Sequence, residues 1–207
     1  MDDIRDLKAL QLDALREVEN IGAGHAATAL SQLTNRRIMI TVPKIAVSRL
    51  EDVAFLLGKP DEVVAAVLLH MLGDLTGRTL LVFPETAARR LCDLLLSRPI
   101  GKTTEFGMLE QSSLKEAGNI LCGAYMNALS SFMGMMLLPS VPSLVIDLSA
   151  AVLTSTYLNF GHDRDYVFCV ETQFQFQAGN ELLAGYFLLM PDTASLRAIL
   201  QAVRRLT

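Results

Sequence analysis

The 207-residue sequence is short of cysteine, of clustered basic residues and of long apolar runs, and each shortage narrows what the chain can be. Its three cysteines, Cys92, Cys122 and Cys169, are odd in number, widely spaced and form no CxxC pair. They point to neither a disulfide framework nor a zinc site and read as reduced core thiols. His25, His70 and His162 are far apart and share no metal-ligand spacing. Lys plus Arg number 18 against 22 Asp plus Glu, a net charge of -4, and no basic stripe exists to follow a phosphate backbone. Nucleic acid is therefore not an expected partner. The opening "MDDIRDLKALQLD" lacks the basic flank and apolar stretch of a secretory signal, and runs such as "VVAAVLLHML" fall short of the roughly 20 residues that span a membrane. The expectation is a cytoplasmic protein with no membrane insertion.

Against these shortages stands a hydrophobic fraction of 51%, enough to build a substantial core. Sliding the sequence along itself exposes an internal register. At an offset of 99 residues Glu17 meets Glu116, Asn20 meets Asn119, Gly24 meets Gly123, and Pro43 meets Pro142. Later the offset becomes 107, where "PETA" from Pro84 meets "PDTA" from Pro191; a few residues gained in a loop would cause the drift.

Each half, about 8–98 and 105–206, reads as a long helix, three strands and a closing helix. In the first, a helix from about Lys8 to Leu33 precedes "RIMITVPKIAV", a strand with Pro43 at a bulge or edge. "EVVAAVLLHML" and "GRTLLVF" form a hairpin over a "GD" turn, and "ETAARRLCDLLLS" is an amphipathic helix. In the second, a helix from about Glu105 to Met133 precedes strands in "SLVIDLSAAVLTSTYL", "DYVFCVETQFQF" and "ELLAGYFLLM", then a helix in "TASLRAILQAVRRL". The connection "SRPIGKTT" is too short for an independent linker. The expected fold is α+β, with residues 1–207 as one domain in which two intertwined pseudo-symmetric repeats share an antiparallel sheet and two long helices pack alongside.

Helix positions three and four apart share a face. Asp13, Glu17, Asn20, Gly24, Thr28 and Ser31 thus form one stripe, and Ser112, Glu116, Asn119, Gly123, Asn127 and Ser130 its equivalent. A separate apolar stripe, Leu15, Val18, Gly22, Ala26, Ala29 and Leu33, is expected to face the core, which leaves the Glu and Asn outward. A carboxylate and an amide above small residues make a docking surface that a partner's backbone can approach. The Asn does not titrate, so it can orient a group such as a water but cannot be a base; the Glu could be a base or an anchor for a cation.

These residues closely resemble the CheC family of bacterial chemotaxis phosphatases, relatives of CheX and of the central domain of the flagellar switch protein FliM. The family pattern is Asp or Ser, three residues, Glu, two residues, Asn, 22 residues and Pro. It is met in full by Asp13, Glu17, Asn20 and Pro43 and again by Ser112, Glu116, Asn119 and Pro142, and "NIGAGHAATAL" and "GNILCGAY" are also similar to the family. The resemblance covers essentially the whole chain.

It implies hydrolysis of the aspartyl phosphate on the response regulator CheY, with Mg2+ supplied by the regulator and no cofactor of the chain's own. On that basis Asn119 and Asn20 orient the attacking water, and Glu116 and Glu17 pair with the regulator's active-site Lys. It further implies binding of the receptor deamidase CheD, with Asp147 of "LVIDLSAAV" at the contact. The alternative is a non-catalytic response-regulator adaptor or flagellar switch component. Two complete motifs, and an end at Thr207 without a flagellar-type C-terminal domain, weigh toward catalysis.

One departure is Glu19, where the second copy has Gly118. As a surface carboxylate it would repel an acidic regulator, which ranks Glu116 and Asn119 above Glu17 and Asn20. The Met-rich "FMGMMLLP" is expected to fill core gaps, and Gly22 and Gly24 lie within a helix rather than in a nucleotide-binding loop.

Overall fold

The elements run α1 (Ala9–Thr34), β1 (Ile38–Arg49), β2 (Val63–Gly73), β3 (Gly77–Pro84), α2 (Glu85–Leu95), α3 (Met108–Met133), β4 (Leu137–Pro139), β5 (Ser143–Leu148), α4 (Ser149–Leu158), β6 (Tyr166–Phe176), β7 (Leu182–Pro191) and α5 (Thr193–Arg204). The computed structural model describes residues 9–49, 52–53, 59–158, 166–176 and 182–204. His162 lies outside them.

Both long helices stop at positions the repeat equates. Asn35 (φ 51°) and Gly134 (φ 64°) are left-handed, a conformation that ends a helix at little cost only for such residues. Near the end of each helix a serine ties down the segment that follows: the Ser31 hydroxyl accepts from the Ile38 N–H of β1 at 2.9 Å, and Ser130 donates to the Met135 carbonyl in the connection to β4. These two serines, read from sequence as part of an outward stripe, are half-buried clamps.

The strands form one antiparallel sheet in the order β1-β6-β7-β3-β2-β4, with β5 also paired to β2. That order is palindromic in the repeat: β3 and β7 lie side by side at the centre, and the first strand of each half pairs with the second strand of the other. The α+β architecture of intertwined repeats expected from the sequence is the one observed.

Alternation along the strands divides the sheet into two apolar faces. One carries Ile40, Val67, Leu81, Phe83, Phe174 and Phe187 and is covered by α1, α2, α3 and α5. The other carries Val64, Ala66, Leu80, Val82, Cys169 and Leu188 beneath Val152 and Leu153 of α4. Tyr125 fastens α3 to the first face: its ring meets Phe187 edge-on at 4.8 Å, and its hydroxyl shares a hydrogen bond with Thr172 at 3.1 Å.

Residues 149–158 correct the sequence reading. "SLVIDLSAAVLTSTYL" was expected as strand, but only Ser143–Leu148 is; Ser149–Leu158 is the helix α4. An unbroken apolar run has no period to separate a buried strand from a buried helix. Ser149 marks the switch, its N–H donating to the Glu62 carbonyl at 2.9 Å and its hydroxyl to that of Lys59 at 3.0 Å.

The connection between the halves is fixed by one buried carboxylate. Asp93 accepts from the backbone N–H groups of Gly101, Lys102 and Thr103 and from the Thr103 hydroxyl at 2.6 Å. Arg98 in the same connection pairs with Glu110 of α3, which holds the Glu110 carboxyl below its usual range.

Candidate functional site

The outward stripe on α1 forms as the periodicity requires, because the opposite side of the helix is occupied by α3 and the sheet. Leu15, Val18, Gly22, Ala23, Ala26 and Leu30 are buried, while Asp13, Glu17, Gly24 and Thr28 are exposed and Asn20 is half-buried. On α3 the pattern is the same: Ser112, Glu116 and Asn127 are exposed, and Asn119 and Gly123 are half-buried. One apolar assignment fails, since Leu33 is exposed and Thr34 takes the buried place at the end of α1.

The structure therefore brings each Glu and its Asn together on one helix face. The two helices that carry the pairs pack against each other, with Gly22 of α1 against Tyr125 of α3. Glu17 lies 3.9 Å from Arg16, which also meets Asp13 at 3.3 Å, and all three side chains are open to solvent. Such surface pairs orient side chains more than they stabilise a fold. Among the described residues Glu116 has no ion-pair partner, so its carboxylate is available to an incoming cation. A Cβ added at Gly24 would find nothing within 4 Å, and one at Gly123 would only graze Pro139 at 4.0 Å. Close approach beneath each Asn is thus open.

The prolines sit where strands are interrupted. Pro43 lies within a register shift of the β1–β6 ladder between Thr41 and Lys44, at the sheet edge as the sequence implied. Pro142 lies between β4 and β5. Beside the first proline the Val42 N–H donates to Asn20 Oδ1 at 3.0 Å, a contact that sequence spacing gave no means to see. Asp147 is on neither helix: it is exposed near the end of β5, with its Oδ1 accepting the Leu148 N–H at 2.7 Å.

Glu19 overturns its reading as a surface repulsor. It is only 2% exposed, and its Oε2 has no hydrogen-bond partner among the described residues. Burial pushes its pKa up to about 8, so it is mostly neutral at pH 7, and it is close enough to Cys122 and Tyr125 to act on both. An approaching protein does not meet it. The helix turns this position inward because α1 packs on both α3 and the sheet. At the equivalent place in α3, Gly118 is pressed against Val67, where a Cβ would come within 2.6 Å of Cγ1. The ranking of the two sites that rested on Glu19 loses that basis.

The remaining candidates are quickly placed. Cys92, Cys122 and Cys169 are free and buried, and burial raises their pKa values to about 11, 12 and 11. His25 is exposed on α1 and His70 on β2, and among the described residues no three His, Cys, Asp or Glu side chains form a metal-ligand set. The Met-rich stretch divides: Phe132, Met133 and Met135 pack on the core as expected, whereas Met136 and Leu138 are exposed.

A pseudo-symmetric α+β protein that carries the same outward-facing carboxylate and half-buried amide on two packed helices is the class defined by fold and site together. The profile of the CheC-like family matches residues 10–47 and 109–146, the two helix-to-strand segments that hold these pairs. The chain is 33% identical over 199 residues to the CheY-P phosphatase CheC of Bacillus subtilis, covering 95% of each protein. It is 32% identical over 133 residues to the flagellar motor switch phosphatase FliY of the same organism, covering 62% of this chain and 34% of FliY. In three dimensions it matches Thermotoga maritima FliY with a TM-score of 0.80 at 21% identity, over 98% of this chain and 100% of the other. The middle domain of FliM from H. pylori matches with a TM-score of 0.67 at 15% identity, over 95% and 99%. The chain belongs to the CheC-like family.

Proposed function

We propose that the protein hydrolyses the aspartyl phosphate of a CheY-type response regulator in the cytoplasm. The observation that carries this is the duplicated pair, an exposed Glu17 beside a half-buried Asn20 and an exposed Glu116 beside a half-buried Asn119, on two packed helices in a chain similar over 95% of its length to a CheY-P phosphatase. The two carboxylates anchor the regulator through its active-site Lys. The two amides enter the regulator's site and orient water in line with the phosphorus, an effect of positioning that needs no proton transfer by the amide. Magnesium belongs to the regulator. Among the described residues no helix is long and apolar enough to cross a membrane, and the sites face solvent, where a diffusing partner reaches them.

Asp147, exposed near the end of β5, is proposed as a contact for a CheD-type deamidase. A second reading is a non-catalytic regulator-binding or switch component: the chain also shares its fold with the FliM middle domain, and a fold by itself does not fix function. One experiment separates the readings: follow dephosphorylation of a phosphorylated CheY-type regulator in magnesium, with the Asn20→Ala, Asn119→Ala double variant as control. The wild type should accelerate the loss of phosphate, and the double variant should lose about a hundredfold of that acceleration while still binding the regulator. Binding without acceleration by the wild type would establish the adaptor reading.

A further inference from the structure

Asn20 and Asn119 hold the same place in the sequence pattern and on their helices, yet their amides are held differently. β1 is an edge strand, and its ladder with β6 shifts between Thr41 and Lys44 with Pro43, which has no N–H, inside the shift. Val42 falls out of the ladder there; its side chain is buried at 2% exposure and its N–H turns to Asn20 Oδ1. Of the two ends of the Asn20 amide only the oxygen can accept from an N–H, so this contact fixes its rotation, oxygen toward β1 and nitrogen away from it. In the second half the strand is interrupted between Pro139 and Ser143, and Val141 is 89% exposed. Among the described residues Asn119 makes no side-chain hydrogen bond.

The difference bears on chemistry. A water that attacks phosphorus gives its lone pair to the new bond, so its hydrogens must go to acceptors, and the half of an amide that orients it is the oxygen. We propose that the bulge at Val42 and Pro43 is a positioning element that turns the Asn20 oxygen inward: the first site engages a phosphorylated regulator but turns it over slowly, while Asn119 carries most of the hydrolysis. The proposal rests on the phosphatase reading above. At either site the water oxygen bonds to phosphorus as the bond from phosphorus to the regulator's aspartate oxygen breaks. The electron pair stays on the aspartate as carboxylate, the water's proton passes to the phosphate, and inorganic phosphate leaves. The same proline that marks the motif 23 residues after Asn20 thereby acquires a task, releasing one backbone N–H from the sheet.

The test joins amide hydrogen exchange at Val42 to steady-state kinetics on a phosphorylated CheY-type regulator with magnesium, for the wild type, Asn20→Ala, Asn20→Asp and Asn119→Ala. Val42 exchange should quicken about tenfold in Asn20→Ala, stay slow in Asn20→Asp, whose carboxylate accepts the same N–H, and be unaffected by Asn119→Ala. Turnover should fall roughly tenfold in Asn119→Ala and less than about twofold in Asn20→Ala, with KM little changed in the first. Unaltered exchange in Asn20→Ala overturns the anchor, and an equal or larger loss of turnover in Asn20→Ala overturns the division of labour. Unchanged protection along α3 serves as the folding control. A wild type that leaves the phosphate untouched overturns the phosphatase reading and the division of labour together, and the exchange result still decides the anchor by itself.

Discussion

Gly22 on α1 lies so close to Tyr125 on α3 that a Cβ there would come within 2.8 Å of the ring's Cδ1 and 3.0 Å of the Ala124 carbonyl oxygen. The first clash could be relieved by a ring movement, but the second is with backbone, and Tyr125 is held at both ends by Phe187 and Thr172. Gly22→Ala should therefore destabilise the protein by about 1–3 kcal/mol, the usual cost of overpacking. Gly24→Ala, one half-turn away and facing open space, should do the opposite by roughly 0.5–1 kcal/mol, since alanine is the better helix former. Urea unfolding of both variants checks the pair; equal shifts in the two would mean that α1 and α3 are not in contact at Gly22.

Glu19 sets a pH dependence whose sign follows from its raised pKa. Between its ordinary value of 4.5 and about 8 the folded protein keeps a proton that the unfolded chain gives up. Its contribution to stability is therefore lost as pH rises through that window and is level beyond it. The loss at pH 7 relative to pH 4 is on the order of 3 kcal/mol. Glu19→Gln should flatten the profile, so that the variant gains on the wild type between pH 5 and pH 8. Parallel unfolding curves for the two proteins across that range would show that Glu19 ionises freely.

The proposed division between anchor and orienting group has a kinetic signature. Glu116→Ala should raise KM for the phosphorylated regulator by about tenfold with a smaller effect on kcat, whereas Asn119→Ala should act on kcat. A Glu116→Ala enzyme with normal KM and depressed kcat would make the carboxylate a base rather than an anchor, the alternative left open by its chemistry alone.

Asp147 is exposed on β5 rather than carried by either site helix, so its proposed contact can be removed without changing Glu17, Asn20, Glu116 or Asn119. Asp147→Lys should weaken binding of a CheD-type deamidase by at least about tenfold and leave dephosphorylation unchanged. Among the described residues its side chain bonds only the neighbouring Leu148 N–H, so little stability is at stake. Undiminished deamidase binding in a titration would move the contact elsewhere.

Much of this was legible because the sequence is written twice. Duplication of Glu17, Asn20 and Pro43 located both long helices and implied one antiparallel sheet shared by the halves, and helical spacing put the four candidate side chains off the core stripe; the strand order and the break at Pro142 came only with the structure. Glu19 escaped because a single apolar stripe describes a helix packed on one neighbour. α1 packs on two, so its buried arc is wider and takes in a carboxyl group. The helix at Ser149–Leu158 escaped because an apolar run has no phase, and the Val42 contact because it depends on a bulge whose register only pairing with β6 defines.

The exchange of strands between the halves also governs how the chain must come into being. β1 pairs Ile38 with Phe176 and Arg49 with Tyr166, so its partner strand is made more than a hundred residues after it. At synthesis rates of about 5–20 residues per second, a nascent chain carries β1 without β6 for on the order of ten seconds. During that interval Ile38, Ile40 and Val42, buried in the finished protein, have no sheet to join. The long separation of β1 from β6 thus leaves an apolar edge uncovered until the second half has been made.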